Sequence, residues 1–208
     1  MRFSHDRKIL LISNWKCGCS TLADLFNTVS EFDWDHRDAC LRIFGKEYDT
    51  MVHYPASLMR QEFARQGWDF DEYTVISSVR HPWARAVSLY ANVVRAGYQG
   101  SFDDFILNEL FTWQSGLQNR WNTYEMFHER GKRIVDHVVR IEHLEHDLRP
   151  FVEQRWPDLH FDYTTRSNPG AHQPFRDYYT DKTREIVADF FAYDIETFGY
   201  QYDDAEAV

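Results

Sequence analysis

The first strong pattern of the chain is a short apolar run that leads through a small loop into a helical pattern. The apolar run predicts a strand over Lys8–Ser13, and the loop Asn14–Cys19 contains small residues and one glycine. Apolar residues then recur at helical spacing, and either Ser20 or Thr21 is a suitable residue to cap the helix. This segment therefore predicts a strand, a turn and a helix.

The same order recurs further along the chain. A β-branched run predicts a strand over Thr74–Val79, and the turn that follows it contains Arg80 and Pro82. A second helical pattern begins near Trp83, and proline suits the first turn of a helix because its missing N–H would have no partner there. Arg80 is thus expected at the carboxyl end of a strand.

Two further segments complete the predicted sheet. Asp49–His53 and Asp136–Ile141 are predicted as strands, whereas Ala56–Arg65 and Asp181–Phe198 are predicted as helices. Strands that alternate with helices indicate an α/β fold with a central, mostly parallel sheet flanked by helices, in a P-loop-like nucleotide-binding arrangement. With 208 residues, and no repeat or low-complexity linker, one domain over residues 1–208 is the expectation.

Composition narrows the class of protein. Hydrophobic residues make up 43% of the chain, which is enough for a sizeable core, and the net charge of −10 argues against a general nucleic-acid binder. The first residues carry charges and precede a short apolar run, so neither a signal peptide nor a membrane helix is predicted there. Three cysteines without a pairing pattern fit a reducing interior, so we expect a cytoplasmic protein.

The first loop has the chemistry of an anion site. Gly18 allows close approach of the backbone, the following helix would present unpaired N–H groups, and Lys16 adds a cation. A triphosphate-binding loop would place its lysine directly before the Ser or Thr, but Cys19 stands at that position. The loop therefore predicts a phosphate-like ligand without the usual magnesium chemistry, and an ordinary strand–turn–helix connection is the alternative.

The second turn predicts another anion site. Arg80 lies at a strand end, where open α/β sheets bind ligands, and Arg85 and Ser88 are three positions apart on the helix that follows. A guanidinium and a hydroxyl that converge would form a phosphate clamp. The alternative is an exposed arginine that pairs with a carboxylate.

Together these segments resemble the sulfotransferase superfamily, in particular the branch with carbohydrate sulfotransferases and small bacterial relatives. KCGCSTL is similar to the first motif of the family, and VRHPWARAVSLY is similar to the second. The fixed positions of the second motif are matched by Arg80, Pro82, Arg85, Ser88 and Tyr90. Similarity continues through His137–Leu148 and Tyr178–Tyr200.

The resemblance implies 3′-phosphoadenosine 5′-phosphosulfate as the donor, with no metal. Arg80 and Ser88 would hold its 3′-phosphate. The residues that would hold its 5′-phosphosulfate are Lys16, Cys17, Gly18, Cys19, Ser20 and Thr21.

The chemistry also requires an acid and a base. Lys16 is the candidate to neutralise charge on the leaving oxygen, and a base must accept the proton of the acceptor hydroxyl. His53 is the candidate base, because it follows a predicted strand and a histidine in the corresponding segment of several carbohydrate sulfotransferases resembles it. The alternative is a histidine that caps or packs under the next helix, and His81 is the second candidate.

Other classes of protein and other ligands stay open at this stage. An ATP-dependent kinase and a non-catalytic nucleotide-binding module are the alternatives to a sulfotransferase. The acceptor is expected to be a hydroxyl of a small molecule or carbohydrate, met by the aromatic-rich segments Glu31–Lys46 and Tyr98–Arg130. For the turn-rich loop Thr165–Tyr179, the resemblance implies that Arg166 or His172 contacts the donor, and a plain surface connection is the alternative.

Overall fold

A mixed α/β arrangement is seen in the computed structural model, which describes residues 2–27, 29, 36–110, 121–164 and 173–204. The strands of the described residues, in chain order, are β1 (Arg2–Ser4), β2 (Ile9–Ile12), β3 (Thr74–Val79), β4 (His128–Glu129), β5 (Lys132–Arg133) and β6 (His137–Arg140). Strands β1, β2, β3 and β6 form the central sheet in that spatial order, and β4 pairs with β5 in a separate hairpin.

The direction of the strands determines which loops meet. Strand β2 runs parallel to β3 with Leu11 opposite Ile76, and β3 runs parallel to β6 with Ser78 opposite Val139. Strand β1 is antiparallel to β2. The carboxyl ends of β2, β3 and β6 therefore lie at one edge of the sheet, so the turns that follow them are neighbours.

Helices cover both faces of this sheet. The helices of the described residues are α1 (Cys19–Leu25), α2 (His36–Phe44), α3 (Tyr48–Met51), α4 (Ala56–Arg65), α5 (Pro82–Arg95), α6 (Phe102–Asp104), α7 (Thr123–Phe127), α8 (Leu144–Arg155), α9 (Asp181–Phe190) and α10 (Ala192–Phe198). A π-helical segment, Phe105–Glu109, continues α6. None of the helices in the described ranges is long and apolar enough to cross a membrane.

The strands are buried on both sides, and their residues alternate between two cores. Leu10 and Ile12 of β2 pack with helices α2 to α4, whereas Ile9 and Leu11 pack with α1 and α8. A third core joins α5 to α6 and α9. This alternation explains why the strands are apolar runs rather than polar–apolar repeats.

The predicted α/β class with a mostly parallel sheet is confirmed, and Thr74–Val79 and Ala56–Arg65 have the predicted bounds. The predicted strand Asp49–His53 is wrong, because Tyr48–Met51 forms helix α3. Met51 is fully buried in the core that α2 and α4 share, so packing in the helical layer overrides the local preference of β-branched residues.

The long carboxyl-terminal helix is also interrupted. The segment predicted as one helix over Asp181–Phe198 is divided into α9 and α10 at Phe191, whose φ of −105° and ψ of 26° are not helical. The sequence pattern does not predict strand β1. Its three residues are too few for a periodic pattern, and it forms by pairing with β2.

Candidate functional site

The loop after β2 has a backbone that only particular residues allow. Gly18 caps α1 in the left-handed region, with φ of +72°, so the predicted caps Ser20 and Thr21 are wrong. A Cβ on Gly18 would lie 2.3 Å from Cγ1 of Ile141, which follows β6. Lys16 also has a positive φ, +59°. The loop is therefore pressed against the turn after β6 and holds Lys16 in a strained conformation.

Arg85 keeps this loop in place. Its Nε donates to the carbonyl oxygen of Trp15 at 3.1 Å, and its Nη2 donates to Oδ1 of Asn14 at 3.1 Å. Its Nη1 donates to Oγ1 of Thr123 at 3.0 Å, and the residue is 6% exposed. The guanidinium thus binds the loop and α7, so the predicted anion clamp of Arg85 with Ser88 is wrong.

Asn14 connects the loop to the neighbouring strand. Its Nδ2 donates to the carbonyl oxygen of Ser78 in β3, and its own carbonyl oxygen accepts the N–H of Cys17. Asn14 is fully buried. The loop, β3 and α5 therefore form one hydrogen-bonded unit, which fixes the position of Lys16 before any ligand binds.

Lys16 lies near two other positive charges. Burial lowers the pKa of Lys16, and the positive charges of Arg95 and Arg80 lower it further. Within the described ranges, none of these three side chains forms an ion pair with a carboxylate. The carboxylate-paired alternative for Arg80 therefore does not hold there, and an anion would relieve the mutual repulsion.

The sequence interpretation did not include Arg95. It lies seven positions after Ser88 on α5, so the two residues share a face of that helix. Ser88 is buried, whereas Arg95 is exposed. The helical spacing of Arg95 from Ser88 is the signal in the sequence that points to Arg95.

His53 reaches the end of β2 from the turn between α3 and α4 rather than from a strand. Its Nδ1 lies 2.7 Å from the carbonyl oxygen of Ser13 and must donate there, because a carbonyl only accepts. The neutral ring therefore has its lone pair on Nε2. Burial lowers the pKa of His53 to about 4, and the nearby charges of Arg85 and Lys16 contribute in the same direction. At neutral pH this histidine can accept a proton at Nε2.

The aromatic ring beside His53 belongs to the loop itself. The ring centroids of Trp15 and His53 are 4.4 Å apart, and the two planes meet edge to face. Trp15 directly precedes Lys16. The candidate base and the candidate cation are thus held by the same short loop.

The two loop cysteines have different surroundings. Cys17 is fully buried and burial raises its pKa to about 12, so its thiol is inert and faces the core. Cys19 is half-buried, and burial raises the pKa of its thiol while the backbone N–H groups of Ser20 and Cys19 oppose that effect.

The remaining predicted residues are placed as follows. Ser20 is half-buried and Thr21 is buried on the first turn of α1. His81, the second candidate base, is 2% exposed, and its Nε2 donates to the carbonyl oxygen of Gln201. This burial gives His81 a packing role. Arg166, His172, residues 31–35 of the predicted acceptor segment Glu31–Lys46 and residues 111–120 of Tyr98–Arg130 lie outside the described residues.

Carboxylates at this edge serve the fold. Glu142 accepts the backbone N–H of His81 at 2.6 Å and the hydroxyl of Tyr200 at 3.2 Å, which ties the turn after β6 to the start of α5. No group of three potential metal ligands occurs in the part of the chain that the structure describes.

Comparison with known proteins gives one result. A family model described as a sulfotransferase family matches residues 1–201. No curated protein and no solved structure matches the chain.

Proposed function

The chain belongs to the sulfotransferase family, and we propose that it transfers a sulfuryl group from 3′-phosphoadenosine 5′-phosphosulfate to a hydroxyl of an acceptor. The observation that carries this choice of donor is that Lys16 and Arg80 follow the ends of the parallel strands β2 and β3, while the charges of Arg80 and Arg95 both act on Lys16. A donor with two separate anionic groups would occupy both turns at once.

The two anion sites would divide the donor between them. Lys16 and the backbone of Gly18, Cys19, Ser20 and Thr21 would bind its 5′-phosphosulfate. Arg80 and Ser88 would bind its 3′-phosphate. The buried thiol of Cys17, and its N–H group that already donates to Asn14, leave that residue a supporting role in the loop.

The transfer would proceed as one displacement at sulfur. A bond forms between the acceptor oxygen and sulfur, and the bond between sulfur and the bridging phosphate oxygen breaks. Nε2 of His53 accepts the proton of the hydroxyl, and the Lys16 ammonium stabilises the negative charge on the leaving phosphate. A partly buried lysine is well suited to this because its charge is less screened than at the surface.

Calorimetric titration with adenosine 3′,5′-bisphosphate, the product of the donor, tests this function. We expect Arg80→Met to lower the affinity about tenfold or more, because one charged hydrogen-bonding partner of the phosphate is lost. The matched control is Arg7→Met. Arg7 lies before β2, at the opposite edge of the sheet, and pairs with Asp158.

The outcomes separate the candidate functions. Loss of affinity in the Arg80 variant, with the Arg7 variant unchanged, supports the proposal. Equal affinities in both variants and the unaltered chain, or tighter binding of ATP with Mg²⁺ than of the bisphosphate, would contradict it. Turnover of radiolabelled donor with a panel of sugars and other hydroxyl compounds then tests catalysis, and the resemblance makes a sugar hydroxyl one candidate acceptor.

A further inference from the structure

A cavity of about 130 Å³ lies beside Trp15, between α5, the start of α7 and the junction of α9 with α10. Apolar side chains that include Leu89 and Phe191 line it, and Tyr193 adds a partly exposed aromatic wall. The cavity joins elements that are distant in the sequence, and it touches the loop after β2 through Trp15.

Trp15 connects this cavity to the chemistry. Its side chain lines the cavity, and its ring also contacts the ring of His53. Its carbonyl oxygen is held by Arg85, which lines the cavity as well. A molecule in the cavity would therefore lie next to the loop that carries Lys16 and the base.

The volume of the cavity limits the size of the ligand that it can bind. An apolar protein cavity of about 150 Å³ is known to take benzene, so 130 Å³ accommodates about one six-membered ring. Aromatic and aliphatic walls favour a flat apolar ring, since its burial gains hydrophobic free energy without unpaired polar groups.

Asp194 lines the cavity, and one of its two carboxylate oxygens lacks a hydrogen-bond partner in the described part of the chain. The residue is 4% exposed, and its Oδ1 has no hydrogen-bond partner in the described part of the chain. Its Oδ2 lies 3.7 Å from Nη1 of Arg85. Because the two opposite charges balance, the cavity favours a neutral ligand that donates one hydrogen bond to Oδ1.

A pyranose sugar ring fits the groups that line this cavity poorly. Most of its hydroxyl groups would be buried at once, and each needs a partner to offset its loss of water. Oγ1 of Thr123 already accepts from Arg85, and Oδ1 of Asn122 accepts the N–H of Glu125. The polar groups of the described lining can accept hydrogen bonds from one or two hydroxyl groups of a ligand.

We propose that this cavity is the acceptor site and binds a neutral compound with one aromatic ring and hydroxyl groups at opposite ends. One hydroxyl donates to Asp194. The other is the sulfated group, whose oxygen gains the bond to sulfur, while the donor phosphate keeps the electron pair of the broken bond and the proton passes to His53. This inference rests on the proposed function and names its class of acceptor.

Binding of 4-hydroxybenzyl alcohol to the full chain tests it, with methyl β-D-glucopyranoside as the comparison. Saturation-transfer NMR in the presence of adenosine 3′,5′-bisphosphate measures binding without any turnover. Leu89→Phe places a larger side chain in the cavity, and the matched control Leu107→Phe makes the same change at a position that is 41% exposed. Thermal unfolding and bisphosphate affinity report whether each variant is folded.

We expect the ring compound to bind, the Leu89 variant to lose at least about tenfold in affinity and the Leu107 variant to lose none. A second variant, Asp194→Asn, keeps the shape and should weaken binding about threefold or more, because a charged acceptor becomes a neutral one. Tighter binding of the glucoside, or ring binding that neither cavity variant changes, would overturn the proposal. Absence of bisphosphate binding would instead refute the donor assignment, which is measured separately.

Discussion

Replacement of Gly18 by alanine should damage the donor loop through two separate effects. An alanine at φ of +72° is strained by about 1 kcal/mol. Its Cβ would also lie 2.3 Å from Cγ1 and 2.7 Å from Cδ1 of Ile141, and such overpacking costs about 1–3 kcal/mol. We therefore expect Gly18→Ala to lower the free energy of unfolding by about 2–4 kcal/mol.

Gly67 provides a control that isolates the strain. Its φ is +75°, nearly that of Gly18, but a Cβ there would have no atom within 4 Å. Gly67→Ala should therefore cost about 1 kcal/mol. The difference between the two variants in the free energy of unfolding measures the cost of the contact with Ile141.

A double-mutant cycle tests the contact directly. Ile141→Ala removes both atoms nearest to the new methyl group, so the double variant of Gly18 and Ile141 should recover about 1–3 kcal/mol relative to the sum of the single changes. Urea unfolding followed by tryptophan fluorescence gives these free energies, and calorimetry with adenosine 3′,5′-bisphosphate reports the loop. Equal costs for the Gly18 and Gly67 variants, or no recovery in the double variant, would refute the reasoning.

Two further predictions concern the charged groups of the site. His53→Gln should abolish turnover and leave the affinity for the bisphosphate unchanged. In the unaltered chain, kcat/KM should be level above about pH 5. It should fall as the pH decreases through about 4, because protonation of His53 removes the lone pair on Nε2. Near-normal turnover in the Gln variant, or an acid limb near 6.5, would contradict this assignment. Arg95→Ala should weaken bisphosphate binding and raise the pKa of Lys16, because a nearby positive charge is removed. The affinity of this variant for the bisphosphate should therefore fall at a higher alkaline pH than that of the unaltered chain, since Lys16 keeps its proton longer. If both proteins lose affinity at the same pH, Arg95 does not act through Lys16.

Local patterns were sufficient for most of the scaffold. Thr74–Val79 is an apolar β-branched run because both of its faces are buried, and Pro82 marks the start of α5 because the first turn of a helix loses no hydrogen bond to proline. The positions of Lys16 and Arg80 at neighbouring strand ends also follow, since parallel strands bring their carboxyl ends to one edge.

Local patterns failed where packing decides between conformations. Asp49–His53 has the residues of a strand but contributes Met51 to a helical layer. The last helix has continuous apolar spacing, yet it breaks at Phe191, which packs into the third core. Neither outcome depends on the residues of the segment alone.

The roles of the site residues depend even more on distant neighbours. The sequence by itself determined a mostly parallel α/β sheet, the places of two candidate anion-binding turns and the motifs of the family, because strand periodicity, turn chemistry and motif spacing are local properties. Only the tertiary structure decided that Arg85 holds Asn14, 71 positions away, and that Ser13 sets the tautomer of His53. These contacts form between segments that meet only after the sheet and its helices pack, so no local pattern contains them.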